Sequence, residues 1–476
     1  MNTQSNLCRT ILAGLAFLCL ADGAPAAAAP LESTLSDQES VAVTVYNNGL
    51  GLVREVRKIP VPAGTGELRF MDVAAQIKPE TVHIRPLAGD LAVLEQNYEY
   101  DLLSPAKLLE KQVGREVELV RLNEKTKEDE VVRATLLSTN NGLVYRAGDR
   151  ILLNPKGEVR LTRVPDDLIA KPTLVWLIKG AGGFQKVETS YMTRGLTWQA
   201  DYVFVLDAAD RKAGLTGWVT LDNTSGTTYR DAQLQLVAGD VQKVEEERKF
   251  EMAKARVAIP AAAGPPQFKE QSFFEYHLYT LERPATVKQN QKKQIQLIEA
   301  ENVPVRKDLV YRGQSYYYWD KMGYPVSNEK VGVFLIFENR KDHGMGMPLP
   351  KGIVRVYKAD DSGAQQFIGE DRIDHTPKDE KVRIKVGNAF DVVAERRQTD
   401  FEVVSDYVRE VAFEVKIRNH KEEDVVVRVV EPIAFDWKVL SASHPHEKAD
   451  ARTLEFKVPV PKGKEAKLAY RVRIKL

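Results

Sequence analysis

The chain is 476 residues long, with 68 Lys and Arg, 67 Asp and Glu and two cysteines, so its formal charge is only +1. A near-neutral, evenly mixed surface argues against nucleic acid or anionic lipid as the main partner. The mean hydropathy of −0.33 fits a soluble chain, and beyond the N-terminus no apolar run reaches the length of a transmembrane helix.

The N-terminus carries the grammar of a secretory signal. Arg9 supplies the positive n-region, Ile11 to Leu20 the apolar h-region, and Ala24-Pro25-Ala26-Ala27-Ala28-Ala29 the small-residue cleavage site. Cleavage is expected after Ala28, because a cut one residue later would leave Pro30 first. The signal takes with it Cys8 and Cys19, so the mature chain is expected to have no disulfide, no thiolate nucleophile and no cysteine ligand. A chain this long can instead rely on burial. Lipidation at Cys19 is the alternative route, disfavoured by the bulky Leu18 before it. Export to a Gram-negative periplasm is the expected destination.

Period-2 alternation dominates the rest. Residues 38–112 read as a small β module: VAVTVYNNGLGLVREVRKIPV is a hairpin signal, GELRF and ETVHIRPL follow, and Ser104 with Pro105 opens a short helix. Residues 113–170 hold five short strand-like runs and predict an SH3-like small β-barrel. Residues 171–330 have longer strands and predict a β-sandwich, interrupted by a charged, Ala- and Pro-rich stretch at 243–270 without strand period. Residues 331–476 predict a C-terminal immunoglobulin-like sandwich, closing on Leu468, Tyr470, Val472, Ile474 and Leu476 in strict alternation with charged and small residues. Asn140-Asn141-Gly142, Asp360-Asp361-Ser362-Gly363 and Pro461-Lys462-Gly463 supply turn chemistry. Helical runs long enough for βαβ crossovers are missing, so the mainly β fold is expected to be antiparallel.

Several phrases are specific: SYMTRGLTWQADYVFVLD, LTGWVTLDNTSGTTYRDAQLQLVAGDV, EYHLYTLERPATV and MPLPKGIVRVYKADDSGAQQFIGEDRIDHTPKDE. With them the chain resembles the domain-of-unknown-function 4139 family. YEYDLLSPAKLLEKQVGREVELV looks like the N-terminal part of its exported bacterial members, so the resemblance extends over nearly the whole mature chain. It implies a β-rich protein of the bacterial envelope and supplies no catalytic residues.

Each candidate for chemistry has a plainer explanation beside it. Ser104-Pro105-Ala106-Lys107 fits S-x-x-K, with Ser138-Thr139-Asn140 as a possible second motif, but no K-T-G follows and helix capping accounts for the serine. His444 and His446 have i, i+2 spacing but flank Pro445, and His343-Gly344-Met345-Gly346-Met347 offers soft ligands on a glycine-rich loop. No site is assigned to a metal, no cofactor is expected, and no residue is assigned a catalytic role. The densest polar cluster is 370–380, where Asp371, Asp374 and His375 could form a carboxylate–imidazole site or a neutralised loop.

Seven of the 17 tyrosines fall between Tyr276 and Tyr324. Read as a strand, Tyr316 and Tyr318 face one way and Tyr317 and Trp319 the other, a row of rings suited to sugar stacking or a protein partner. The candidate binding residues are therefore Tyr316, Tyr317, Tyr318, Trp319, Asp371, Asp374 and His375. The expected function is an envelope protein that binds or scaffolds an envelope protein or glycan through an aromatic surface or a sheet edge. The alternative is a hydrolase of envelope polysaccharide or peptidoglycan using carboxylates near 370–380.

Overall fold

A computed structural model describes residues 31–101, 103–122, 128–163, 168–239, 241–242 and 267–476. The expected signal peptide and residues 243–266 of the expected strand-free stretch lie outside them. The last part of that stretch is ordered as strand: Phe268–Phe273 pairs with Tyr276–Leu281.

The described residues form a mainly β structure of four sheets, with one α-helix, Pro105–Lys111. In the ten-stranded sheet Gln38–Tyr46 turns through Gly49 at φ +79° into Leu50–Met71, a strand paired along its length with Thr173–Arg194. Val41, Val43, Val45 and Val53 face the core, as their alternation dictates.

The five-stranded sheet runs in the order Gln291–Pro304, Lys212–Asn223, Leu196–Leu206, Gly352–Ala359, Gln365–Ile373. Its inner face offers Trp198, Tyr202, Phe204, Leu215, Val219 and Leu221 to a core shared with the ten-stranded sheet. Trp198 meets Tyr279 across that core, and Phe204 stacks on Phe337 of the nine-stranded sheet with centroids 4.8 Å apart. Its outer face carries the intervening residues, and that face builds the site.

Two sequence expectations are corrected. The sheets are mixed, not purely antiparallel: Leu196–Leu206 runs parallel to Gly352–Ala359, Gln38–Tyr46 to Tyr229–Ala238, and Arg306–Arg312 to Val425–Pro432. The described residues between these neighbours run mostly through other strands, so the lack of long helical runs did not forbid parallel pairing. The expected SH3-like barrel is an open five-stranded sheet with Glu158–Arg160 and Arg150–Leu153 left at its edges. Its five strands fall where expected, but the edge strands are only three and four residues long. They cover a small core of Val117, Leu119, Ala134, Leu136 and Tyr145, with Leu109 of the helix packed against it.

The nine-stranded sheet, all of it between Arg306 and Lys475, rolls over its own core, so that Phe456 of one strand meets Tyr470 of another at 5.1 Å between ring centroids. Leu468, Tyr470, Val472 and Ile474 are buried as the alternation requires, and Leu476 is exposed. At the centre of this core lies a fully buried ion pair, Arg396 with Glu431. Arg396 also donates from Nε to the Tyr311 hydroxyl at 3.0 Å and from Nη1 to the Tyr470 hydroxyl at 3.2 Å. Tyr318 donates to Glu431 Oε2 at 3.0 Å, and Tyr311 and Tyr317 both donate to Glu329. Burial opposes the Arg396 charge, but Glu431 and the tyrosines more than offset it, so the guanidinium stays protonated. Burial pushes the Tyr318 and Tyr470 hydroxyls up, so they remain donors.

Glu431→Gln leaves a buried guanidinium without its counter-charge and should cost about 3–5 kcal/mol. Glu67→Gln, in an exposed pair with Arg69, should cost at most about 1 kcal/mol. Urea unfolding followed by tryptophan fluorescence checks both, and equal small losses would contradict the account. A second prediction concerns the hairpin joining Gly352–Ala359 to Gln365–Ile373. Hydrogen bonds from the Ser362 and Gln366 side chains and nearby backbone N–H groups lower the Asp360 carboxyl to about 2. Because the folded value is depressed, its contribution is fully present above the ordinary carboxylate range, near about 4, and is lost as pH falls toward 2. Carboxyl NMR should find Asp360 titrating at about 2, and a value near 4, the ordinary figure, would contradict the clamp.

Candidate functional site

The outer face of the five-stranded sheet is polar where the inner face is apolar. In LTWQADYVFVL the inward Trp198, Ala200 and Tyr202 alternate with Thr197, Gln199 and Asp201. Register sets Thr197 opposite Asp222, Gln199 opposite Thr220 and Asp201 opposite Trp218. Lys292, Gln294 and Gln296 continue those rows on one side. On the other side Ile353 continues the Asp201 row to Arg372, and the next outward row runs from Val203 through Arg355 to Glu370.

These side chains form a hydrogen-bonded line across all five strands. Gln294 Nε2 donates to Thr220 Oγ1 at 3.2 Å, and Thr220 Oγ1 donates to Asp201 Oδ2 at 3.1 Å. Arg355 Nη1 donates to Asp201 Oδ1 at 3.0 Å, while its Nε pairs with Glu370 at 3.2 Å. Gln199 Nε2 adds a bond to Asp201 Oδ2 at 3.2 Å. Asp201 is 4% exposed, so its charge needs these donors. Trp218 stands half-buried between Asp201 and Gln296.

At one end of this face opens a cleft of about 510 Å³. Thr197, Gln199, Thr220 and Asp222 line it from the two central strands, Lys292 from the edge strand, and Lys351, Arg372 and Asp374 from the far side. Asp222 and Lys292 are 3.6 Å apart.

The structure divides the residues singled out from sequence. Asp374 lines the cleft, and His375 beside it accepts from the Lys351 N–H at 3.2 Å. Asp371 is a pin between strands: it accepts the Lys385 N–H at 2.7 Å and the Arg372 N–H at 2.9 Å. The aromatic row lies on another sheet and is not a strand. Ser315–Tyr318 is a 3-10 helix, which turns Tyr317 and Tyr318 into the core to meet Glu329 and Glu431. Only Tyr316 and Trp319 of the four reach the surface, 63% and 50% exposed, with Tyr324 nearby in sequence also outside.

The other motifs resolve into structure. Ser104 Oγ accepts the Lys107 N–H at 3.2 Å as an N-cap. Glu110 and then Asp101 raise the Lys107 pKa, the opposite of what a proton-accepting lysine needs. Met345 lies in the core, and His444 bonds its neighbour Ser443. Among the described residues, no three His, Cys, Asp or Glu side chains gather as a metal site. Sequence reasoning missed Gln199, Asp201, Thr220 and Arg355. Their one signal was polar residues at the outward positions of otherwise apolar strands.

A family model for a domain of unknown function (DUF4139) matches residues 187–476. The match takes in the whole of the five-stranded sheet that carries the cleft, the nine-stranded sheet, and every residue lining the cleft except Asn47; the five-stranded sheet of Glu116–Leu122 and its neighbours falls before it. The upstream phrase YEYDLLSPAKLLEKQVGREVELV falls before it. A comparison with the curated proteins finds no match. With well over half of its length covered by that model, the chain belongs to the DUF4139 family.

Proposed function

We propose that this chain is an exported envelope protein that binds a glycan in the cleft of its five-stranded sheet. The observation that carries the reading is the lining of that cleft. Thr197, Gln199 and Thr220 each donate and accept, and Asp222, Lys292, Arg372 and Asp374 place both signs of charge around them. Sugar hydroxyls also donate and accept, and such a wall matches them without a large desolvated charge. Trp218 on the same face offers a ring for stacking. Export to the periplasm rests on the signal grammar of residues 1–28. The rolled nine-stranded sheet serves in this reading as an immunoglobulin-like module. Its exposed Tyr316 and Trp319, or an edge strand such as Phe268–Phe273 of the ten-stranded sheet, would dock an envelope protein.

The second reading is hydrolysis of envelope polysaccharide or peptidoglycan, favoured by Asp222 and Asp374 lining one cleft. Calorimetry of the mature chain with soluble peptidoglycan fragments and envelope oligosaccharides, paired with a reducing-end assay, separates the two. The proposal expects binding that Gln199→Ala and Asp374→Ala each weaken roughly five- to tenfold, without release of reducing ends. New reducing ends that vanish in Asp374→Ala would establish the second reading. No binding to either ligand set would overturn the first.

A further inference from the structure

The outer face of the nine-stranded sheet carries a cluster independent of the cleft. Along Arg306–Arg312, Asp308, Val310 and Arg312 alternate with the core residues Leu309 and Tyr311. Register puts Gly332 opposite Val310 on one side and Arg428 opposite it on the other. Phe334 lies opposite Asp308, with Lys385 beyond it, while Arg383 lies beyond Ile336. Val310 and Val430 are only 5% and 4% exposed on this outward face.

Two of the arginines are held in place. Arg428 Nη1 is 2.8 Å from Asp308 Oδ2, and its Nη2 is 2.7 Å from Glu455 Oε2; both carboxylates are about nine-tenths buried. The Arg383 guanidinium sits 3.9 Å above the centroid of the Phe334 ring. That ring lies over Gly332, where a Cβ would come within 2.9 Å of it. Glycine at 332 therefore lets the ring lean toward Val310 and carries Arg383 toward Arg428 and Arg312. Their proximity is felt electrostatically: burial first, then Arg428 and Arg312, lower the Arg383 pKa against the pull of Asp308 and Glu455. Among the described residues, Arg428 has two carboxylate partners, whereas no ion pair is formed by Arg383 or by Arg312. Arg428 already holds two carboxylates, so the guanidinium groups left to receive a further anion beside it are those of Arg383, braced on Phe334, and Arg312, whose charge is felt at Asp450.

We infer that Arg312, Arg383 and Arg428 form a binding site for a phosphate group, free or carried on a lipid headgroup. The full mature chain is titrated with inorganic phosphate and, separately, with phosphatidylcholine vesicles doped with phosphatidylglycerol. Binding should weaken roughly tenfold in Arg383→Gln and in Arg312→Gln. Phe334→Ala should also weaken it although the net charge is unchanged, because Arg383 loses its support. Arg54→Gln, which removes the same charge from the ten-stranded sheet, should have no effect. Binding of phosphate without vesicles assigns a soluble phosphorylated ligand, and binding of vesicles assigns the headgroup; both keep the site. Binding of neither probe overturns it. So does binding unchanged in Arg383→Gln and Arg312→Gln, or weakened equally by Arg54→Gln.

Discussion

The site depends on one backbone contact, the parallel pairing of Leu196–Leu206 with Gly352–Ala359. It splices a segment from late in the chain into the middle of a sheet begun much earlier. At the start of the pairing Gly352 presses against its partner so closely that a Cβ would lie 2.2 Å from the Ala200 carbonyl oxygen. Any side chain there would force the strands apart. The long detour between the strands adds little penalty, because loop-closure entropy grows only logarithmically with length. Without this ladder Arg355 could not reach Asp201, and the cleft would lose the wall that holds Lys351, Arg372 and Asp374.

Two polar networks then divide the molecule's work. The Arg396–Glu431 cluster is sealed inside the rolled sheet, and its tyrosines satisfy the remaining donors and acceptors. A network so enclosed fixes which strands face each other, since any other packing strands a charge in a low dielectric. The line from Gln294 through Thr220, Asp201 and Arg355 to Glu370 is half-open. It holds its donors and acceptors in place beside a cleft, which would lower the ordering cost for the glycan proposed to bind there.

The sequence made the strands legible and concealed their neighbours. Leu468, Tyr470, Val472 and Ile474 could be placed inside because a strand has period two, and Ser104 could be read as a cap because its chemistry is local. The parallel pairings were invisible, since alternation says which way a side chain points and nothing about which strand lies alongside. Tyr316 to Trp319 were misread as a strand for a related reason: four consecutive aromatics have no alternation, and their tertiary contacts selected a 3-10 turn. Arg396 and Glu431 occupy inward positions where charge reads as solvent-facing, so the central ion pair had no local signal. In the site, the dense charges of 370–380 drew attention to Asp374, but Gln199 and Thr220 look like ordinary outward strand residues until the sheet assembles them.

The central claim is that a cleft gathered from four distant stretches of this DUF4139 chain is where its proposed ligand binds. Hydrogen exchange of the mature protein with and without solubilised envelope glycan addresses it most directly. The account predicts slowed exchange in 197–199, 220–222 and 351–353, the backbone around the cleft lining. Slowing confined to 315–324, around the exposed Tyr316 and Trp319, or absent from all of these segments, would contradict it.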